Sequence, residues 1–257
     1  MPAGQGRGRM DAILETEGLT RDFSGFLAVN GVDLRVRRGS IHALIGPNGA
    51  GKTTLFNLLT RFLPASSGRI RFAGQDITRL SPTRVARLGM GRSFQMSAVF
   101  PSLSVAENVR IALEQPLGIS YQFWRSCRAL LALDGKVREL LAAVDLERFA
   151  GTTAVELPYG RKRALELATT LALDPQLLLL DEPTQGMGHE DVGRVVDLIR
   201  RVARSRTVLL VEHNLSVVAD LCDTITVLQR GRILAEGNYA QVSRDPAVLE
   251  AYIGGAA

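Results

Sequence analysis

Gly46-Pro47-Asn48-Gly49-Ala50-Gly51-Lys52-Thr53 is the stretch on which the reading of this sequence turns. It has the pattern G-x-x-x-x-G-K-[ST]. It stands between the short apolar run His42–Ile45 and a segment, Thr54–Phe62, in which Leu55, Leu58 and Leu59 recur at helical spacing. Strand, glycine-rich loop and helix, in that order, are the context the pattern requires. The glycines let backbone N–H groups turn inward around phosphates, and the N-terminus of the following helix adds partial positive charge. Lys52 is then expected to reach the β- and γ-phosphates of a nucleotide, and the Thr53 hydroxyl to ligate Mg2+. A turn that merely capped a helix would leave the lysine an arbitrary choice.

Two further apolar runs lead to groups that act on such a ligand. Leu177–Leu180 is followed by Asp181-Glu182, which places two carboxylates just past a buried strand, on the edge where open α/β sheets bind ligands. Asp181 suits a Mg2+ ion, directly or through water, and Glu182 can polarise a water for in-line attack on the γ-phosphate. Val208–Val211 ends at Glu212-His213 and brings an imidazole to the same edge, so His213 is a candidate contact to the γ-phosphate. His42 and His189 have no such company and read as structural or surface residues.

The rest of the chain is consistent with an α/β core. The helical stretch near Val192–Val202 separates the two apolar strands as a crossover helix would. From Ile13 to Leu44, short apolar alternations with turns at Asn30-Gly31 and Arg38-Gly39 read as antiparallel strands. Ile225–Leu228 and Arg232–Ala235, joined at Arg230-Gly231, suit an edge hairpin. Between about Ser97 and Glu156 strand signals vanish, and residues such as Val137, Leu140, Leu141 and Val144 recur at helical intervals. The expected organisation is a mobile tail over 1–10, a nucleotide-binding core over 11–95 and 174–257 with its antiparallel β subdomain, and an inserted helical subdomain over 96–173.

Composition bounds the alternatives. With 257 residues, 46% hydrophobic and 22% charged, the chain can bury a full core and has no bias towards disorder. Every apolar run is interrupted by charge, Gly or Pro well short of the roughly 20 residues a spanning helix needs. Cys127 and Cys222 lack metal-ligand spacing and read as free thiols of a reducing compartment. The net charge of +5 comes from arginines spread along the chain, which is the habit of a solvated surface, so a nucleic-acid partner is not expected.

Taken in order, these motifs resemble the nucleotide-binding subunits of ATP-binding cassette transporters over nearly the whole chain. The resemblance makes GPNGAGKTT, residues 46–54 and so including Thr54, the Walker A loop, and LLLLDEP, ending at Pro183, the Walker B strand. It makes Gln95 in GRSFQ a Mg2+ and water contact, His213 in VEHNL the switch histidine, and Phe23 in LTRDF the ring that stacks on adenine. Leu157-Pro158-Tyr159-Gly160-Arg161 corresponds to the family's signature, which presses a helix N-terminus, here that of a helix through Ala164–Leu173, on the γ-phosphate held by a second subunit. The implied cofactors are ATP and Mg2+. The implied partners are membrane permease subunits, a second copy or a related ATPase, and indirectly an external solute-binding protein. The implied place is peripheral, on the cytoplasmic face of the cell's inner membrane.

Two departures from the family pattern bear on hydrolysis. Pro158 stands where the signature has serine, removing a hydroxyl and a backbone donor, with Arg161 a candidate compensating charge. Gly188 replaces the usual aspartate in the loop Gln185-Gly186-Met187-Gly188. Several stretches, among them LPYGRKRALELATTLALDPQLLLLDEP and VEHNLSVVADLCD, are most similar to the ATPases of branched-chain amino-acid importers. Carriers of urea, short amides or lipid-linked material share much of this pattern. A regulatory module with weak hydrolysis is the other open class, and a DNA-repair or translation cassette is disfavoured because the insert is too short for a long coiled coil. Phe100, Leu103 and Val105 are candidate linings of a groove for a permease helix, or else the insert's own core.

Overall fold

The computed structural model describes residues 12–93, 99–117 and 127–253, so the expected tail over 1–10 and Gln95 lie outside the described residues. The chain begins with β1 (Ala12–Phe23), β2 (Phe26–Val32) and β3 (Arg35–Arg37), then enters β4 (Ile41–Ile45) and α1 (Lys52–Leu59). β5 (Ser67–Phe72), β6 (Gln75–Asp76), α2 (Pro82–Arg87) and β7 (Met90–Ser93) follow. Three helices come next: α3 (Val105–Leu117), α4 (Cys127–Ala143) and α5 (Tyr159–Leu171). The last third holds β8 (Leu177–Asp181), α6 (His189–Ala203), β9 (Thr207–Val211), α7 (Leu215–Leu221), β10 (Thr224–Gln229), β11 (Arg232–Gly237), α8 (Tyr239–Val242) and α9 (Pro246–Ile253).

Two sheets result. The six-stranded sheet runs β11-β10-β4-β9-β8-β7, with β10, β4, β9, β8 and β7 mutually parallel and β11 antiparallel at the edge. The other is antiparallel, in the order β2-β1-β5-β6 with β3 on β1. The apolar runs that looked buried on both faces are so: every residue of β4, β8 and β9 is buried. Alternation divides their side chains between two cores. Ile41, Ala43, Leu178, Leu180, Val208 and Leu210 pack with α3, α4, α5 and α6. Leu44, Leu177, Leu179, Leu209 and Val211 pack with α1 and the antiparallel sheet.

Some boundaries differ from the sequence reading. Asn30-Gly31 is not a hairpin turn. It lies inside β2, where Gly31 at φ 65° accompanies a register shift against β1, and the turn is at Ser24-Gly25 instead. Ile41–Leu44 belongs to the parallel sheet, whereas β5 and β6, which follow α1 in the chain, complete the antiparallel one. α5 starts at Tyr159 rather than Ala164. α3 is entered through a reciprocal cap, in which the Ser104 backbone and hydroxyl donate to Glu107 Oε2 and the Glu107 N–H donates to Ser104 Oγ.

His42 is structural, as expected: it is 1% exposed, and its Nε2 lies 2.8 Å from the Thr226 hydroxyl across β4 and β10. Burial lowers its pKa from 6.5 to about 4. The unfolded chain therefore takes up this proton before the folded one, so stability contributed above pH 6.5 drains away as pH falls towards 4, by roughly 3 kcal/mol in all. His42→Gln is expected to flatten that stretch of the stability profile, as read from denaturant midpoints at several pH values. An unchanged slope would show that the imidazole is not what titrates.

Candidate functional site

The C-terminal ends of β4, β8 and β9 lie side by side, and each hands the chain to a loop bearing candidate residues. After β4, the loop is squeezed between β2 and β10. A Cβ on Gly46, at φ 150°, would stand 2.1 Å from the Leu228 carbonyl oxygen, and one on Gly51, at φ 101°, 2.3 Å from that of Ala28. Only glycine fits either place. Gly51 is also the N-cap of α1, with no side-chain cap bond and no acidic residue in the first turn, so the helix's leading N–H groups are left to a ligand.

Lys52 is 6% exposed, and its Nζ donates to the carbonyls of Gly46 at 2.7 Å and Pro47 at 3.0 Å. Burial pulls its pKa down, while the Glu182 and Asp181 carboxylates push it back up. The ammonium thus sits in the field of both acidic residues although 129 positions of sequence separate Lys52 from Asp181 (181 − 52). Glu182 takes a left-handed φ of 49° without being glycine, and Glu182 Oε1 lies 2.8 Å from His213 Nε2. A carboxylate oxygen only accepts, so Nε2 carries the proton in this contact. Lys52, Asp181, Glu182 and His213 therefore form one constellation.

Asp181 is 5% exposed and is paired with a residue the sequence reading passed over. Arg92, on β7, donates to Asp181 Oδ2 at 2.8 Å, to Asn57 Oδ1 at 2.6 Å, and lies 5.7 Å from the Phe56 ring centre. Its place inside the GRSFQ stretch was the available signal, but its partner is 89 residues away. Glu212 was passed over too, and is buried behind His213. Among the described residues no group of three His, Cys, Asp or Glu side chains could hold a metal. Mg2+ does not need one: it keeps several waters and takes one or two protein oxygens besides phosphates. The exposed Thr53 hydroxyl at the start of α1 and the Asp181 carboxylate are a donor set of that kind.

The remaining candidates surround this centre. Phe23 is 43% exposed at the tip of the β1–β2 hairpin, its ring stacked under Arg21 at 4.5 Å, and its cross-strand neighbour Phe26 is exposed even more, at 67%. Either ring offers a face to a base. Pro158 is the N-cap of α5 with no side-chain cap bond, Leu157 is buried, and the Tyr159 hydroxyl donates to the Gln185 carbonyl at 3.2 Å. Gly160 packs against Asp191 of α6, where a Cβ would come within 3.0 Å of the carboxylate. Arg161 turns away from the helix start, donating to the Asp145 carbonyl at 2.6 Å over the Phe149 ring, so its charge is committed there. Gly188 is the N-cap of α6 and offers it no side-chain bond. Val105 is wholly buried in the insert's own core, whereas Phe100 is half exposed. Cys222 is a free thiol whose pKa burial pushes up to about 12, and the side chain of Cys127 lies outside the described residues. No helix among the described residues is long and apolar enough to cross a membrane.

Residues 29–185 match the ABC transporter family, and residues 232–257 match the family described as branched-chain amino acid ATP-binding cassette transporter. Over 94% of this chain, it is 37% identical to the high-affinity branched-chain amino acid transport ATP-binding protein BraF of Pseudomonas aeruginosa, 98% of which is covered. It is 35% identical to LivG of Escherichia coli over the same shares of the two chains. The crystal structure of the ADP conformation of an ATP-binding cassette superimposes with a TM-score of 0.82 at 30% identity, covering 95% of this chain and 99% of that one. A nucleotide-free cassette gives the same score at 29%. With a family match over more than half its length and a relative 37% identical over nearly all of it, this chain belongs to the ATP-binding cassette ATPases of ABC transporters.

Proposed function

We propose that this chain is the motor subunit of an importer of branched-chain amino acids, in which MgATP is held on the phosphate loop and cleaved at the Glu182–His213 pair. The observation that carries the site reading is the shared field of Lys52, Asp181 and Glu182, with His213 closing on Glu182. The solute is supported by the names of the relatives and by the separate match over 232–257.

In this reading the N–H groups of Gly49 to Thr54 and the Lys52 ammonium hold the phosphates, while Phe23 stacks on the base. Thr53, Asp181 and Gln95 hold Mg2+, which when bound offsets phosphate charge and orients the terminal phosphoryl group. Glu182 takes a proton from the attacking water, and His213 keeps that carboxylate aimed while sensing the γ-phosphate. Leu157 to Arg161 serve the ATP of a second subunit, a copy of this chain or a related ATPase. The helices over 96–173 meet membrane permease subunits, which places the chain peripherally on the cytoplasmic face of the inner membrane, with the external binding protein reached only through them.

Purifying the complex from membranes and measuring uptake tests the assignment. Co-elution with permeases and loss of leucine, isoleucine and valine uptake on deletion are expected; unaltered uptake of all three would sink the solute assignment.

The uncapped start of α5 also makes a prediction. Pro158→Ser returns a backbone N–H donor and a hydroxyl to the N-cap and is expected to raise phosphate release a few-fold, by about 1 kcal/mol of transition-state contact. Arg161→Ala is expected to leave the rate unchanged, because its charge is spent on Asp145 and Phe149. A wild-type rate for Pro158→Ser would mean that backbone contacts alone do the work there.

A further inference from the structure

Past the ends of β8 and β9 the ladder stops, yet the two loops beyond it have to stay in register for Glu182 and His213 to meet. Asp181 pairs with Val211 as the last ladder position, and the Glu182 N–H adds one more bond to the Val211 carbonyl at 3.0 Å. Beyond that point each loop goes its own way, and Glu182 holds a left-handed conformation that is costly for a non-glycine residue and persists only where its surroundings enforce it.

What spans the gap is one buried carboxylate. Glu212 is 3% exposed, and each of its oxygens serves a different loop. Oε1 accepts from the Thr184 N–H at 3.1 Å and from the Thr184 hydroxyl, two residues beyond Glu182. Oε2 accepts from the N–H groups of His213 at 2.9 Å and Asn214 at 3.1 Å. Four donors converge on one side chain, three of them backbone groups that cannot turn away, and charge-assisted bonds of this kind are roughly twice as strong as neutral ones. Asn214 in turn caps α7, accepting from Ser216 and Val217, so the far side of the His213 loop is anchored as well. Between the two loops joined in this way, Glu182 and His213 meet at 2.8 Å.

We propose that Glu212 is a positioning residue for hydrolysis: it staples the Thr184 loop to the His213 loop and thereby fixes the carboxylate–imidazole pair. The proposal rests on the reading of Glu182 and His213 given above. Its requirement is for a carboxylate at this position, not merely a polar side chain. In Glu212→Gln the amide can face only one pair of donors with its oxygen. Its NH2 group then opposes at least one backbone N–H of the other loop, and that loop shifts.

Phosphate release and nucleotide affinity, measured on the full chain and its His213→Ala variant, test this. Glu212→Gln is expected to lower kcat by roughly tenfold to a hundredfold, the effect of sub-ångström to ångström misplacement, with KM and affinity for a non-hydrolysable ATP analogue within about twofold because the phosphate loop is untouched. On the His213→Ala background the same substitution is expected to cost less than about twofold, since there is no longer a pair to hold in register. Thr184→Val, which keeps the side-chain shape but removes the hydroxyl, is expected to lower kcat a few-fold, and Thr184→Ser to restore it to about the wild-type value. If Glu212→Gln is recovered only as aggregate, the Thr184 pair decides: equal rates for the valine and serine variants would overturn the proposal.

An equal fall of kcat on both backgrounds, or loss of analogue affinity in parallel with kcat, would reduce Glu212 to a structural residue. Wild-type turnover in Glu182→Gln and His213→Ala would overturn the site reading and this proposal with it. Impaired references beside an unimpaired Glu212→Gln would overturn this proposal alone.

Discussion

Lys52→Ala is expected to lose high-affinity ATP binding, by about a hundredfold or more, the scale of removing a buried charge from its counter-charge. The reason lies in how the ammonium is held. It is drawn into the loop by the Gly46 and Pro47 carbonyls, is nearly inaccessible to solvent, and stands in the field of Asp181 and Glu182. Such a group is poised before a ligand arrives, so little ordering remains when phosphates come in. Without it, a positive charge beside two carboxylates disappears at the place where anionic phosphates must enter, and repulsion adds to the lost contact, even though Asp181 keeps its pairing with Arg92. Titration with labelled ATP, alongside a thermal melt to show that the variant folds, reads the effect. Unchanged affinity would remove the phosphate loop from the nucleotide site.

Glu182→Gln separates binding from chemistry. Glutamine keeps the size of the side chain, and its carbonyl oxygen can still accept from His213 Nε2–H, so the 2.8 Å contact survives. What disappears is the capacity to take a proton from water. A general base contributes about 10²–10⁴-fold, and a fall in turnover of that size is expected with ATP affinity preserved. Because closure around the nucleotide no longer leads to cleavage, an ATP-bound dimer is expected to accumulate and to run ahead of the monomer on gel filtration. Normal turnover in this variant would take the role of base from Glu182.

Much of this was legible because the deciding signals are local. A glycine-rich loop between an apolar strand and an amphipathic helix needs only a dozen consecutive residues to be recognised, and β4, β8 and β9 announce themselves as short runs apolar on both faces. The family resemblance supplied the order of the motifs and has its counterpart in the matches over 29–185 and 232–257. The weaker elements were hidden for physical reasons. β5 (SGRIRF) alternates over only two buried residues, Ile70 and Phe72, and β6 is two residues long, so both are too short for their periodicity to stand out. Asn30-Gly31 has turn chemistry, but strand pairing with β1 on either side absorbs it as a bulge.

By itself the sequence determined the α/β class, the glycine-rich loop between strand and helix, and the identity of the acidic and imidazole groups that follow the apolar strands, because chain-local periodicity and spacing carry that information. Tertiary structure alone decided which of those groups meet. Arg92 finds Asp181, Glu212 binds Thr184, His213 closes on Glu182, and Arg161 is drawn off to Asp145, all through contacts between segments 16 to 89 residues apart. Strand order sets the first three pairings and the packing of α5 beside α4 sets the fourth; both follow from burial against shared cores, a property of the folded whole that no single stretch of residues encodes.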